Sequence, residues 1–281
     1  MVLQINDDMS RIKNYTPYLE IPAKLNLQKG DVVVVSSNII RFAYITQKHE
    51  SIFDSNLFIE KLQEIIGPEG TLIFHAFNFN LKSGSAFDIK YTKPTTTGAL
   101  SLAAFKRSDF KRTQNPLHSF LVWGKYADHL IALNNKSSFG ADSPFAFFKQ
   151  YGAKKLSIDL DLVSTLTFTH HVEELEKVNY RYWKKYLINY TDEAGITNWR
   201  EYFLYGKKLG YENVINPLLP EFIKQNAIEH YKFNTVSFNV IDLEKSYNII
   251  QNDLQNNEGK NIYKFSFKVF IKNSVKEFLR R

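Results

Sequence analysis

Gly30-Asp31-Val32-Val33-Val34-Val35-Ser36-Ser37-Asn38 is the stretch on which the fold reading turns. A Gly-Asp turn signal leads into four consecutive valines. An unbroken β-branched run, with no alternation of polar residues, is what a strand buried on both faces requires. Small polar residues follow at Ser36-Ser37-Asn38, where a loop leaves the strand end. Open α/β sheets place ligands at such ends, and small residues there leave backbone amides open to phosphate or amide groups.

Reading outward, Leu57, Phe58, Leu62, Ile65 and Ile66 keep a helical apolar stripe over 55–66, stopped by Gly67-Pro68-Glu69-Gly70. A second strand is expected over 71–77, followed by a long loop over 78–96. A short helix over 98–105, a strand over 119–123 and a helix over 125–133 come next. A further helix starts at Ser143-Pro144, then a strand over 155–160 and a helix over 165–178. Strand, loop and helix alternate, so the expected fold is α/β, with a mixed, largely parallel central sheet flanked by helices. Residues 1–29 read as a helix and a lead-in loop.

After Val178 the pattern changes. Residues 180–190 are rich in aromatics, the turn Asp192-Glu193-Ala194-Gly195 follows, and 196–204 would pair back as a hairpin. Pro217 and Pro220 flank a helix start, 231–240 reads as strand and 242–254 as helix. Tyr263, Phe265, Phe267 and Val269 alternate before a basic end at Arg280-Arg281. The division expected is a core over 1–179 and a smaller, aromatic-rich C-terminal lobe over 180–281.

Composition excludes several functions. There is no cysteine, so disulfide frameworks, thiol catalysis and Cys-ligated zinc are out. No H-E-x-x-H, Walker A loop or G-x-G-x-x-G is present, and no metal is expected. Glycine numbers only 12 and no fixed-period repeat occurs, which argues against the hexapeptide β-helix of one acyltransferase class. No apolar run approaches the ~18 residues of a membrane span. The start, Met1 to Asp8, lacks a basic segment followed by an apolar run, so no signal peptide is expected and the chain reads as cytoplasmic. The net charge is +7, but the Lys and Arg residues are dispersed, unlike the clustered patch of a nucleic-acid binder.

Three constellations carry chemistry. In Thr167-Phe168-Thr169-His170-His171-Val172-Glu173-Glu174, helical spacing aligns Thr167, His170 and Glu173. An imidazole there would take a proton from a nucleophile and a carboxylate would fix its tautomer. The same segment also reads as a plain helix start with a threonine cap. The run Arg112-Thr113-Gln114-Asn115-Pro116-Leu117-His118-Ser119 offers a guanidinium for phosphate or carboxylate and an imidazole for proton transfer, or is a polar loop. Pro94-Thr95-Thr96-Thr97-Gly98, ahead of a short helix, would receive an anion at the helix start or simply cap it.

Taken in order, these pieces resemble the aminoglycoside 3-N-acetyltransferase family, also called the antibiotic N-acetyltransferase family. The landmarks are Gly30-Asp31 with the strand into Ser36-Ser37; Gly67-Pro68-Glu69-Gly70-Thr71-Leu72; the Pro94 to Gly98 turn; Arg112 to Pro116 with His118 and Ser119; Ser143-Pro144; and Thr167-x-x-His170-x-x-Glu173. They cover roughly residues 25–185. The resemblance implies a mixed α/β fold distinct from the GNAT fold and an acyl-coenzyme A donor, acetyl or longer. It also implies an amine acceptor on a sugar-like molecule. By resemblance His170 is the general base, Glu173 orients it and Thr167 lies near the thioester oxygen. Ser36, Ser37, Thr97, Gly98 and Ser119 would line the coenzyme A channel, with Arg112 and His118 beside it, and the C-terminal lobe would contribute to the acceptor site.

The sequence departs from the family at Val35 and Asn115, where histidines are common, and at the acidic Asp159-Leu160-Asp161. Asp159 or Asp161 would position the base or hold the acceptor ammonium. The net charge of +7 suits an anionic acceptor better than a polycationic drug. The preferred reading is therefore an N-acyltransferase acting on a nucleotide-linked amino sugar for surface polysaccharide synthesis. The alternatives are an aminoglycoside 3-N-acetyltransferase conferring resistance, and a non-catalytic coenzyme A or sugar-nucleotide binding protein. The aromatic tail would form a homodimer contact.

Overall fold

The computed structural model describes Ile12 and residues 14–278. The first strand, β1 (Val32–Ser37), holds the centre of a seven-stranded sheet. Its valines divide between two apolar clusters, Val32 and Val34 in one and Val33 and Val35 in the other. Both faces are therefore covered, which is why the run has no polar alternation.

Helix α1 (Ile40–His49) follows directly, then α2 (Ser55–Ile66). Asp54 caps α2 by accepting from the backbone N–H groups of Asn56 and Leu57 at 2.7 and 3.2 Å. Gly67, at φ 65°, ends it, and β2 (Thr71–Phe77) returns beside β1 in parallel. The loop after β2 carries a short strand, β3 (Ala86–Asp88), and leads into α3 (Ala99–Lys106). Two antiparallel strands come next, β4 (Lys111–Arg112) at the sheet edge and β5 (His118–Gly124) inside it, then α4 (Ala127–Ala132) and α5 (Pro144–Gln150).

Strand β6 (Lys154–Ile158) pairs parallel to β1 on its other side. Helices α6 (Leu162–Thr165) and α7 (Thr169–Leu175) follow, then a long hairpin of β7 (Arg181–Thr191) and β8 (Thr197–Lys207). The chain closes with β9 (Tyr211–Asn213), α8 (Leu219–Lys224), β10 (Ile228–Phe233), β11 (Val236–Asp242), α9 (Leu243–Asn256), β12 (Tyr263–Phe265) and α10 (Phe267–Phe278).

The main sheet runs β10-β11-β6-β1-β2-β5-β4. It is mixed, as expected, but only its three central strands are parallel; β10, β11, β5 and β4 pair antiparallel. The expected division at 179/180 does not coincide with a boundary between sheets. β10 and β11 complete the main sheet, and β3 pairs with β7 in a separate three-stranded sheet, β3-β7-β8.

Three segments differ from the reading. The helix expected over 165–178 is two short helices broken at Leu166–Phe168. The strand expected over 231–240 is a hairpin, turned at Asn234 and Thr235 with φ 50° and 67°. The alternation from Tyr263 yields three strand residues and then helix α10. Among the described residues of 1–29 the only helical turn is a 3₁₀ turn at Pro22–Lys24; residues 1–11 of the expected helix, and Arg280-Arg281, lie outside the described residues. No helix among the described residues is long and apolar enough to cross a membrane.

Candidate active site

The carboxyl ends of β1 and β6 lie side by side, Ser36 against Ser157 and Ser37 against Ile158. The Thr-rich turn stands on this edge. A Cβ at Gly98 would come within 2.7 Å of the Ser37 carbonyl oxygen, so only glycine, here at φ +90°, lets the turn come so close. The Thr97 hydroxyl beside it is sealed from solvent and has no partner among the described residues. Gly98 is thus held against Ser37, with Thr97 and Ser36 as their chain neighbours.

The break between α6 and α7 builds the second half of the site. Asp161 ends the preceding loop as the cap of α6, accepting from the Ser164 backbone N–H at 2.7 Å. The chain then tightens: the Thr167 carbonyl accepts from the His170 N–H at 3.0 Å, and α7 begins. Thr167 therefore lies in the turn ahead of the helix that carries His170 and Glu173, not on a shared helical face.

Within α7 the three-residue spacing brings the His170 and Glu173 side chains into contact. His170 Nδ1 lies 2.7 Å from Glu173 Oε2. The Tyr180 hydroxyl donates to Glu173 Oε1 at 2.6 Å, and Arg181 Nη2 reaches Oε2 at 2.6 Å. Arg181 Nη2 is also 2.7 Å from His170 Nδ1. A guanidinium only donates, and an Nδ1–H facing a carboxylate also donates. Both donors are satisfied if each bonds Glu173, which assigns the His170 proton to Nδ1 and leaves the Nε2 lone pair free. The Glu173 side chain is fully buried and Arg181 4% exposed, whereas His170 keeps 20%. The imidazole is the member of the cluster open to a reactant.

The electrostatics agree with that assignment. Burial lowers the His170 pKa below its usual value, Arg181 lowers it further, and Glu173 opposes both. Burial would raise the Glu173 pKa, but the hydrogen bond and charge of His170, with Arg181 and Tyr180, hold it below the carboxylate range. The result is a neutral base on an ionised, charge-compensated carboxylate.

The remaining expected residues are placed differently. The Arg112 guanidinium is turned inward: Nε donates to Ser119 Oγ at 2.9 Å, Nη2 to the Ala76 carbonyl at 3.0 Å, and Nη1 to the Thr92 carbonyl. Ser119 donates to Ala76 at 2.8 Å and is fully buried. This pair ties β4 and β5 to β2 and the loop after β3, and its polar groups are used in doing so. Asp159, at φ 53°, is held by Arg41, whose Nε donates at 3.1 Å. With Asp161 engaged as a cap, both acidic side chains have structural partners. His118 lies beside the His170 cluster: both rings pack on Phe139, at centroid distances of 4.6 and 5.3 Å.

Sequence reasoning missed Tyr180 and Arg181. Their signal was position: both follow within eight residues of Glu173, straight after the helix that carries it. No group of three or more His, Asp or Glu side chains suited to a metal occurs among the described residues.

A family model described as aminoglycoside 3-N-acetyltransferase matches residues 49–255. Among solved structures, AAC-IIIb in a binary complex with CoASH superposes with a TM-score of 0.73 at 18% identity, covering 90% of this chain and 99% of that one. Sisomicin-bound AAC-VIa gives a TM-score of 0.72 at 18% identity, covering 87% of this chain and 99% of that one. The YokD protein from Bacillus subtilis gives 0.69 at 18% identity, over 89% and 97%. At these identities the likeness is one of fold. No curated protein matches the chain.

Proposed function

The chain belongs to the aminoglycoside 3-N-acetyltransferase family, a family of coenzyme A-dependent N-acetyltransferases, and from that membership we propose that it acetylates an amine of an aminoglycoside-type acceptor with His170 as general base. The observation that carries this reading is the His170–Glu173–Arg181–Tyr180 cluster, in which the one reachable group is an imidazole with a free Nε2.

Acetyl-coenzyme A, the second substrate, supplies the thioester carbonyl. The edge of β1 suits its pantetheine arm: Ser36 and Ser37 end the strand, Gly98 keeps the turn close, and the orphaned Thr97 hydroxyl wants a partner. His170 Nε2 takes a proton from the acceptor nitrogen as that nitrogen attacks. Glu173 holds the ring by Nδ1 and balances the imidazolium that results. Thr167, in the turn three residues before His170, lends its hydroxyl to the thioester oxygen. An ammonium has no lone pair, so the acceptor must react as free amine; Arg181 and Lys207, which both disfavour positive charge on His170, disfavour it on the incoming nitrogen too.

The family description and the sisomicin-bound relative favour an aminoglycoside acceptor. A second reading, a nucleotide-linked amino sugar of surface polysaccharide synthesis, is favoured by the same cations at the base and by the net charge of +7. A cytoplasmic enzyme follows from either, since acetyl-coenzyme A is held inside the cell. A homodimer through α10 fits its exposed Phe267, Ile271 and Val275.

Thiol release from acetyl-coenzyme A, measured against aminoglycosides and against nucleotide-linked and free amino sugars, tests the proposal. Turnover is expected with an aminoglycoside amine; turnover only with the nucleotide-linked panel decides for the second reading. His170→Ala is expected to lower kcat by ~10²–10⁴-fold with coenzyme A affinity retained. Near-normal turnover in that variant removes His170 from the reaction.

A further inference from the structure

His118 opens β5 opposite Phe77 and is 7% exposed. It sits in an aromatic socket, with Phe77 and Phe139 each 4.6 Å away between ring centroids. Its Nδ1 is sealed from solvent and no group of the described residues bonds it. The titratable groups that bear on it are His170 and Arg181, and phenyl rings make up its socket. Burial, together with His170 and Arg181, pushes its pKa down to about 3, so the ring is neutral throughout the working range.

A neutral imidazole carries one N–H and one lone pair, and the socket decides which nitrogen has which. A sealed N–H without an acceptor has lost its water with nothing in return, and orphaned buried donors are rarer than under-satisfied acceptors. The proton therefore belongs on Nε2, the nitrogen that the socket does not seal. His118 and His170 also pack on one phenyl ring, Phe139, which makes the two imidazoles close neighbours. One has a free lone pair to take a proton, the other a free N–H to give a hydrogen bond. A developing oxyanion is typically met by two donors, and Thr167 accounts for one.

We propose that His118, as a neutral imidazole protonated at Nε2, donates a hydrogen bond to the thioester oxygen while His170 takes the amine proton. This inference rests on the acetyl-transfer reading. The amine lone pair forms the N–C bond and the carbonyl π pair moves onto oxygen, where the Nε2–H meets it. On collapse the C=O bond reforms and the C–S bond breaks, its pair leaving with sulfur. The proton shed by nitrogen sits on His170 and passes to the thiolate. His118 keeps its proton throughout, so it acts as an electrostatic group and not as an acid.

The test uses His118→Phe, which keeps a ring in an aromatic socket, and His118→Gln, which restores an N–H. With acetyl-coenzyme A and the best acceptor, His118→Phe is expected to lower kcat on the order of 10²-fold. KM for acetyl-coenzyme A should stay within about threefold, the acid limb of the kcat/KM profile should not move, and His118→Gln should regain about tenfold. An unchanged kcat in His118→Phe, or a His118→Gln no better than His118→Phe at equal melting temperature, overturns the assignment.

A measurement without turnover separates this from the functional reading. The ketone analogue acetonyl-coenzyme A is bound and its carbonyl stretch recorded. A lowered frequency with the native protein and His118→Gln, restored in His118→Phe, is expected. Binding with a frequency indifferent to position 118 overturns the His118 donor alone; failure of the analogue to bind overturns both proposals.

Discussion

Two histidines, one on helix α7 and one on the central strand β2, have the same hydrogen-bond length and opposite uses. His170 Nδ1 lies 2.7 Å from a carboxylate oxygen of Glu173, and His75 Nε2 lies 2.7 Å from the Lys155 Nζ. Burial lowers the pKa of both rings. The partner decides the rest. Glu173 returns basicity to His170 and has its own charge compensated by Arg181, so the ring can accept a proton and hold it. Lys155 pushes His75 lower still, and burial holds Lys155 itself well below its usual range. Among the described residues neither member of that pair has an acid to stabilise a cation. The second pair lines a cavity of ≈10 Å³ behind the Thr165–Phe168 turn, room for about one water. A carboxylate makes a buried imidazole a base, whereas a lysine makes it a neutral part of the frame.

The largest expected effect breaks the first pair. Glu173→Gln keeps the shape but offers His170 an amide that donates as readily as it accepts. The imidazole proton is then free to move to Nε2, where it blocks the base. A wrong tautomer of this kind costs on the order of 10⁴-fold in kcat, and Arg181, left buried without its counter-ion, costs several kcal/mol of stability. Steady-state kinetics with circular-dichroism melts read both. A Glu173→Gln protein with more than a tenth of native kcat would remove the tautomer argument.

Arg181→Met sharpens the same contrast from the other side. Arg181 lowers the His170 pKa, so removing it leaves Glu173 uncompensated and raises that pKa. A general base works only unprotonated, so the acid limb of kcat/KM should move to higher pH. Well below the original pKa, an imidazole whose pKa has risen by one holds about a tenfold smaller fraction of free base, a loss recoverable by raising the pH. A limb that stays in place would mean that the base is another group.

Much of this contrast was legible in the sequence. The four valines gave the doubly covered strand, and the apolar stripe from Leu57 to Ile66 with its stop at Gly67 gave α2 from local signals that need no tertiary context. His170 and Glu173 were legible because three-residue spacing on a helix is itself a contact. Strand direction was not: an apolar run reads the same either way, and the antiparallel edges follow from how each chain segment returns. Arg181 and Tyr180 reach Glu173 only because the chain reverses after α7, where the Val178 N–H bonds the Glu173 carbonyl at 3.2 Å. Asp161 read as a ligand for an amine, yet Asp-Leu-Val-Ser also spells a cap, with the Ser164 N–H on the carboxylate. Arg112 read as an anion holder because its sequence says nothing of the carbonyls that β2 and the loop after β3 turn toward it. The Lys155–His75 pair joins residues 80 positions apart and gave no local sign.

The smallest expected effect belongs to that second pair, and its sign is the informative part. Removing Lys155 alone would leave the His75 nitrogen without a partner; replacing both members by apolar groups of similar shape is close to neutral or stabilising. His75 already packs against Phe77 and Phe120, at 4.4 and 5.5 Å between centroids, so Lys155→Met with His75→Phe suits the site. The double variant should keep kcat within about threefold and melt at or a few degrees above the native protein. The increment should depend on pH. Unfolded Lys155 binds a proton below pH 10.5 and unfolded His75 below pH 6.5, and burial depresses both values in the fold. The unfolded state then holds more protons, so native stability falls as the pH is lowered through those windows. The variant lacks both groups and escapes that loss, so its advantage should widen from about pH 9 to about pH 6. An advantage that stays flat from about pH 9 to about pH 7 would mean that Lys155 carries its charge in the fold as well as in the unfolded chain, and the contrast with His170 would fail.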